Sequence, residues 1–191
     1  MSELSHYFDV KAIPQADITQ SQVISHIMQL LHQLLPKFNG KIGLSFPAYG
    51  QQKTLGGIIR LLGGEKDISA INQEALLLNS MKDYALIGAV IPIPETVNSY
   101  AYFSRLHHKG ASHIRRSQKR LTERGEWSDE IAENMLAKYM KQKNYPHVHL
   151  KSSTTGQNWI LQIKRQQTNL PSNKGMFNSF GLSTQLTVPL F

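Results

Sequence analysis

A one-sided apolar pattern near the start of the chain limits the fold more than any other feature. Between Thr19 and Leu35, Val23, Ile27, Leu30, Leu31 and Leu34 recur every three or four residues, flanked by Ile24, Met28 and Leu35. Ser25, Gln29, His32 and Gln33 hold the opposite side. Thr19 and Gln22 have the spacing of a capping box, and Pro36 ends the helix because its ring crowds the preceding turn. Such a helix must bury its stripe against a sheet, and its neighbours supply one. His6–Ile13 alternates Phe8, Val10 and Ala12 against Tyr7, Asp9 and Lys11. Ile42, Leu44 and Phe46 alternate against Lys41, Gly43 and Ser45 up to Pro47. Ile58–Leu62 is a weaker strand between glycine pairs. A second helix is predicted from Asp67, with Ile68, Ile71, Ala75 and Leu78 on one face. Leu86–Ile93 closes the series as an apolar strand.

The order is strand, helix, strand, strand, helix, strand. It predicts an α+β fold with an N-terminal ferredoxin-like (βαββαβ) domain over residues 1–97. That plan hosts many functions, so it settles none. Residues 98–191 are expected to form a second α+β half. It holds a strand at Tyr100–Leu106, a basic helix from about Ser112 to a C-cap at Gly125, and a helix capped by Ser128. Strands follow at 148–151 and Asn158–Arg165, the latter with Trp159, Leu161 and Ile163 on one face. A loop at 166–173 and a glycine-punctuated end complete it. A degenerate second ferredoxin-like unit is one reading of this half.

The segment 104–124 concentrates Arg105, Lys109, Arg115, Arg116, Lys119, Arg120 and Arg124 against Glu123 alone. Net charge is +8 and the sequence pI about 9.7, which favours an anionic partner. The segment alone suits a polyphosphate groove or simply a solvated basic helix. The chain has no cysteine, which removes disulfides, thiolate metal sites and cysteine nucleophiles. No apolar run approaches a membrane span, and Met1–Lys11 lacks the pattern of a signal peptide, so a cytoplasmic protein is expected.

His147 and His149 share a strand face and could ligate a metal, but two histidines without acidic neighbours are a weak set. No Asp/Glu cluster suited to two magnesium ions is present, so a two-metal nuclease is disfavoured. Cleavage of RNA without a metal stays open, because RNA carries its own nucleophile, the 2′-hydroxyl. A histidine can move the protons, side-chain hydroxyls can hold the ribose, and Lys or Arg can offset the developing charge.

HYFDV, LLHQLL, IGLSFP, the SRxxxK segment at 104–109, the S-x-(S/T)-TGQ loop with an aromatic after it, and FGLS with a PLF terminus occur here in order. Together they resemble the CRISPR-associated repeat-processing endoribonuclease of the I-F subtype, over essentially the whole chain. The resemblance implies a metal-independent endoribonuclease, without cofactor, that cuts CRISPR repeat hairpins into guide RNAs. Its expected partners are the repeat hairpin (crRNA) and other subunits of the I-F surveillance complex. It acts as a monomer, with no membrane.

The resemblance assigns residues as follows. His32 matches the proton-transfer histidine, Ser152 the serine that holds the 2′-hydroxyl, and Thr154 a second hydroxyl of that loop. Trp159 matches the aromatic that stacks at the hairpin foot, and Arg105 an arginine that reads a guanine edge. Arg115, Arg116, Lys119, Arg120 and Arg124 become phosphate contacts along the stem, and Lys109 and Gln157 further RNA contacts. A-form major grooves are too narrow for most side chains, but a short hairpin opens near its foot. Two positions depart from the pattern. Phe180 stands where the family has a tyrosine at the active site, keeping the ring without the hydroxyl. His107 stands where a glutamine reads adenine, and one imidazole cannot make the same paired bonds. Two other readings stay open: a non-catalytic RNA-hairpin-binding subunit, and a basic module for protein or membrane surfaces.

Overall fold

The structure, a computed structural model, describes residues 4–13, 15–106, 111–140, 145–152 and 154–191, the side chains of 111–113 and 138–140 aside. His107 and Lys109 lie outside the described residues, as do Pro14, Gly110 and the side chain of Ser112.

The first sheet is built from β1 (His6–Ala12), β2 (Gly43–Ser45), β3 (Ile58–Gly63), β4 (Ala85–Ile87) and β5 (Ile91–Pro92). Its order is β2-β3-β1-β4, antiparallel throughout, with β5 also paired to β1. This is the ferredoxin-like order. α1 (Gln20–Leu34), α2 (Glu65–Asn72) and α3 (Ala75–Met81) pack on it. Phe8, Val10 and Ala12 face the core as the alternation predicts, and every member of the α1 stripe is buried. The Thr19–Gln22 capping box forms in both directions. Beyond α1 the chain tightens into a 3₁₀ turn at Leu35–Phe38, with Pro36 in its first turn, where a missing amide hydrogen is tolerated.

Three local expectations are corrected. The single helix from Asp67 is two short helices. The backbone turns extended at Glu74, which resets the helical phase, so Leu77 and Met81 are buried while Ala75 and Leu78 are exposed. The strand at Leu86–Ile93 splits into β4 and β5 around Gly88, whose amide donates to the Asp9 carbonyl. It is an edge segment, and Leu86 and Ile91 are exposed rather than core. Finally, β2 is only Gly43–Ser45, and the next residues turn away from the sheet.

The second sheet contains β6 (Tyr100–Leu106), β7 (His147–Lys151), β8 (Asn158–Thr168) and β9 (Val188–Pro189), in the order β7-β8-β6-β9 with antiparallel pairing. In chain order that is again 2-3-1-4, the order of the first sheet. Irregular chain replaces the second helix between β8 and β9, so this half is a degenerate ferredoxin-like unit. β8 runs past Arg165 to Thr168, taking in part of the expected loop. A single apolar cluster extends from Phe8 and α1 through Phe103, Leu150 and Leu161 to Val188, joining the two sheets.

Residues up to Leu106 and from Tyr145 form one compact unit, and residues between them form another. The second unit holds α4 (Ala111–Glu123) and α5 (Asp129–Met140). Gly125 ends α4 at φ +69°, its amide donating to Thr122 O and the Glu126 amide to Leu121 O, which is a Schellman cap. Ser128 caps α5, accepting from the Ile131 amide at 3.3 Å. On α4, Arg115, Arg116, Lys119 and Arg120 are exposed, as is Arg124 in the turn that follows, and Lys119 pairs with Glu123 at 3.9 Å. Ile114, Ser117 and Leu121 form its less exposed stripe. No helix among the described residues is long and apolar enough to cross a membrane.

Candidate functional site

β7 is an edge of the second sheet, so its outward amides need partners from elsewhere. The polar side of α1 supplies them. The His149 amide donates to Ser25 Oγ at 3.2 Å, and the Lys151 amide donates to Gln29 Oε1 at 2.9 Å. Four residues of helix rise about 6 Å and two residues of strand about 6.6 Å, so α1 and β7 run in step along this seam. Three residues beyond Gln29, on the same face, stands His32. One residue beyond Lys151 stands Ser152. The shared register carries both to the same end of the seam.

His32 is half-buried. Its Nδ1 lies 3.1 Å from the Ser179 carbonyl oxygen. A carbonyl can only accept, so Nδ1 carries the hydrogen, and in the neutral ring Nε2 keeps its lone pair. The imidazole stacks on Phe180, with ring centroids 3.9 Å apart and planes 6° from parallel. Phe180 meets Trp159 edge-on at 5.7 Å and 77°, and the Arg105 guanidinium lies 4.8 Å above the Trp159 ring. His32, Phe180, Trp159 and Arg105 thus form a continuous row of planar groups. Its last two members are the more open to solvent, Trp159 half-buried and Arg105 exposed.

The turn that presents Ser179 and Phe180 is fixed by its own backbone. Asn178 Oδ1 accepts from the Phe180 and Leu182 amides at 2.9 and 3.2 Å, and the Gly181 amide donates to Asn178 O. Gly181 has φ +67°, and a Cβ there would meet Leu44 Cγ at 2.5 Å. The Leu44 amide donates to Gly181 O at 2.8 Å, tying the turn to β2.

Ser152 opens the turn between β7 and β8. Its amide donates to Gln157 O at 2.9 Å, and the Gly156 amide donates to Ser152 O at 2.9 Å. The Thr155 amide donates to Ser152 Oγ at 3.2 Å, so that bond uses the oxygen as acceptor and not the hydroxyl hydrogen. Thr154 and Gln157 are exposed in the same turn. The structure therefore brings His32, Phe180, Trp159 and Arg105 into direct contact, and Ser152 to their end of the seam. It leaves Arg115, Arg116, Lys119, Arg120 and Arg124 in the separate helical unit. The rings of His147 and His149 meet edge-on at 5.2 Å further along β7, and no group of three or more metal-ligating side chains occurs among the described residues.

Several contributors carry no sequence signal of their own. Ser179 acts through its carbonyl, and Asn178 through a turn that any polar loop might contain. Ser25 and Gln29 look like ordinary solvent-facing residues. A hint was available in the spacing of Ser25, Gln29 and His32, which is one helical stripe.

The chain matches the family described as "CRISPR-associated protein (Cas_Csy4)" over residues 7–191, a span that takes in every residue of the row and the seam. It is 30% identical over 193 aligned positions to the CRISPR-associated endonuclease Cas6/Csy4 of Pseudomonas aeruginosa (strain UCBPP-PA14), covering 98% of this chain and 100% of that protein. It is 27% identical over 190 positions to the protein of the same name from Escherichia coli (strain UTI89 / UPEC), with the same coverage. Likeness over the full length of both chains, with the double ferredoxin-like sheet and the seam histidine inside it, places this protein in the Csy4 family of CRISPR-associated proteins.

Proposed function

We propose that the chain is a metal-independent endoribonuclease that binds CRISPR repeat stem-loops in precursor CRISPR RNA and cuts at the foot of the hairpin. The observation that carries this reading is His32, locked by the Ser179 carbonyl and the Phe180 ring, at the end of the seam that it shares with Ser152. Both relatives are named endonucleases.

In the proposed reaction Nε2 of His32 takes the proton of the 2′-hydroxyl next to the scissile phosphate. The 2′-oxygen attacks phosphorus in line, the bond to the 5′-oxygen breaks, that oxygen takes a proton from water, and His32 returns its proton to solvent. The products are a 2′,3′-cyclic phosphate and a 5′-hydroxyl. Ser152 holds the attacking hydroxyl, and Thr154 lies in the same turn. Phe180 fixes the imidazole plane. Trp159 stacks on the closing base pair, its ring already braced by Phe180, and Arg105 reads a guanine edge beside it. Arg115, Arg116, Lys119, Arg120 and Arg124 contact stem phosphates, with Lys109, Gln157 and His107 as further contacts. The nucleophile belongs to the substrate, so the chemistry asks no metal of the protein. The product hairpin stays bound, and the protein acts in the cytoplasm with other subunits of the surveillance complex.

The test is cleavage of a repeat hairpin by purified protein in excess EDTA, with the cut site mapped. A 2′-deoxy substitution at the nucleotide before the cut should abolish cleavage. His32→Ala should bind the hairpin normally and lose about 10²–10⁴ in rate. Cutting by His32→Ala at the wild-type rate would overturn the assignment. The missing hydroxyl at Phe180 favours one alternative, a non-catalytic hairpin-binding subunit, which would bind tightly and yield no product.

A further inference from the structure

The turn that meets His32 can take two forms, and they give the imidazole opposite tautomers. Residues 178–181 form a β-turn closed by the Gly181 amide on Asn178 O at 2.8 Å, with Ser179 and Phe180 at its centre. The Ser179 carbonyl, which accepts from His32 Nδ1 at 3.1 Å, shares one peptide group with the Phe180 amide hydrogen. That group is planar and trans, so its carbonyl and its N–H point in opposite directions. The carbonyl points at the imidazole. The N–H points back to Asn178 Oδ1, 2.9 Å from the Phe180 nitrogen. Whatever fixes the N–H therefore also fixes the carbonyl.

Turns of type I and type II differ by about half a rotation of this central peptide. Phe180 has a negative φ, whereas type II needs a positive one at that position. After the rotation, the Phe180 N–H would stand where the Ser179 carbonyl now stands. A donor facing Nδ1 keeps the lone pair on that nitrogen and leaves the ring hydrogen on Nε2. Nε2 could then take no proton from a 2′-hydroxyl. Asn178 opposes the rotation in two ways. Its Oδ1 binds the N–H in the present form, and in the other form it would meet the Ser179 carbonyl oxygen instead. The same Oδ1 accepts from the Leu182 amide at 3.2 Å, and the Asn178 amide donates to Leu182 O at 2.9 Å, which holds the side chain in place.

We propose that Asn178 is a positioning residue for the cleavage step: through the peptide joining Ser179 to Phe180 it keeps the His32 lone pair on Nε2. The proposal rests on the reading above, in which Nε2 of His32 takes the proton of the 2′-hydroxyl. Asn178 acts at one remove, since the carbonyl that it orients is the group that touches the imidazole.

The test compares full-length wild-type protein with Asn178→Ala, Asn178→Asp and Ser172→Ala. Aspartate keeps an acceptor at the same place. Ser172→Ala is a control that loses a bond elsewhere in the segment, from Ser172 Oγ to Gln185 O at 2.7 Å. Nitrogen NMR of isotope-labelled histidine, about two pH units above the ordinary imidazole value, shows which ring nitrogen carries the hydrogen. His32→Ala identifies the signal. Wild type, Asn178→Asp and Ser172→Ala should carry it on Nδ1. Asn178→Ala should raise the Nε2–H share severalfold, since one amide hydrogen bond shifts an equilibrium about two- to twelvefold. Its single-turnover cleavage should fall about fivefold, with unchanged affinity for a non-cleavable hairpin that has a 2′-deoxy nucleotide before the cut. Ser172→Ala should cut within about twofold of wild type. A wild-type tautomer in Asn178→Ala, a shifted one in Asn178→Asp, or an equal change in Ser172→Ala would overturn the proposal. The spectra need no RNA, so they decide it even where wild-type protein yields no product, an outcome that would overturn the cleavage reading instead.

Discussion

Replacing Phe180 with leucine separates the positioning of His32 from its chemistry. The phenyl ring is 7% exposed, lies parallel to the imidazole at 3.9 Å and meets Trp159 edge-on at 5.7 Å. Leucine keeps most of the buried volume and loses both ring contacts, each worth about 0.5–1.5 kcal/mol. Stability should fall by about 1–3 kcal/mol, which for a chain of this size lowers Tm by about 2–4 °C per kcal/mol. With the stack gone, one hydrogen bond to Ser179 O holds the imidazole, worth about 1 kcal/mol net. The ring then samples orientations in which Nε2 points away from the 2′-hydroxyl. Losing 1–2 kcal/mol of preference for the productive orientation slows the chemical step about 5- to 30-fold. Single-turnover cleavage under saturating protein reads that step, and filter binding with the non-cleavable hairpin reads affinity. The expected result is a rate about tenfold lower with affinity within twofold of wild type. An unchanged rate would show that the stack does not position His32. A parallel loss of affinity would instead make Phe180 an RNA contact. Phe180→Tyr in the same assay asks whether the family hydroxyl adds anything here, and a rate within threefold of wild type is expected because the ring is already fixed.

Gln29→Leu leaves the Lys151 amide on an edge strand without its partner, so stability should fall by about 1 kcal/mol in a urea melt. Single-turnover cleavage should slow by more than hairpin binding weakens, since the seam aligns His32 with Ser152. Gly181→Ala places a methyl 2.5 Å from Leu44 Cγ at φ +67°; a loss of 2 kcal/mol or more is expected, and a melt indistinguishable from wild type would refute the account of that turn. Tyr49 donates to Ile163 O at 2.8 Å and accepts from the Arg165 amide at 3.3 Å, and burial pushes its phenol above the ordinary value of 10. A folded-state pKa above the unfolded one means that this contribution is complete below about pH 10 and lost as pH rises through the folded value. Denaturation midpoints should therefore drop more steeply at high pH for wild type than for Tyr49→Phe.

Much of the architecture follows from periodicities that a reader of the sequence can count. The α1 stripe and the alternation of β1 and β8 are legible because burial on one side leaves a period of 3.6 or 2. The break between α2 and α3 is not legible. Asn72, Gln73 and Glu74 include neither glycine nor proline, and the packing of Leu77 and Met81 decides the phase. The split at Gly88 was equally hidden, because an apolar run reads alike whether it is central or an exposed edge. At the site, His32 and Ser152 carried a resemblance and Trp159 a plausible role. Nothing in the sequence showed that a backbone carbonyl orients the imidazole, or that Phe180 joins it to Trp159. Those are long-range contacts, 147 residues apart in the case of His32 and Ser179.

The polar stripe of α1 explains why a single helix can serve two sheets. Its apolar side is the core helix of the first sheet, and its other side covers the exposed edge of the second. An edge strand offers only backbone donors and acceptors. Short polar side chains at helical spacing are what can satisfy them, and Ser25 and Gln29 do so. The same geometry that solves the edge problem delivers a third polar residue, His32, just past the strand end, where its ring is held by Ser179 O and Phe180 instead of serving an edge amide. The second sheet supplies Ser152 and Trp159 from its first hairpin, and the segment before β9 returns Ser179 and Phe180 onto the first sheet through Leu44 and Gly181. A chain divided after residue 97 would therefore keep the imidazole and lose everything that orients it, so the site belongs to the junction and not to either sheet.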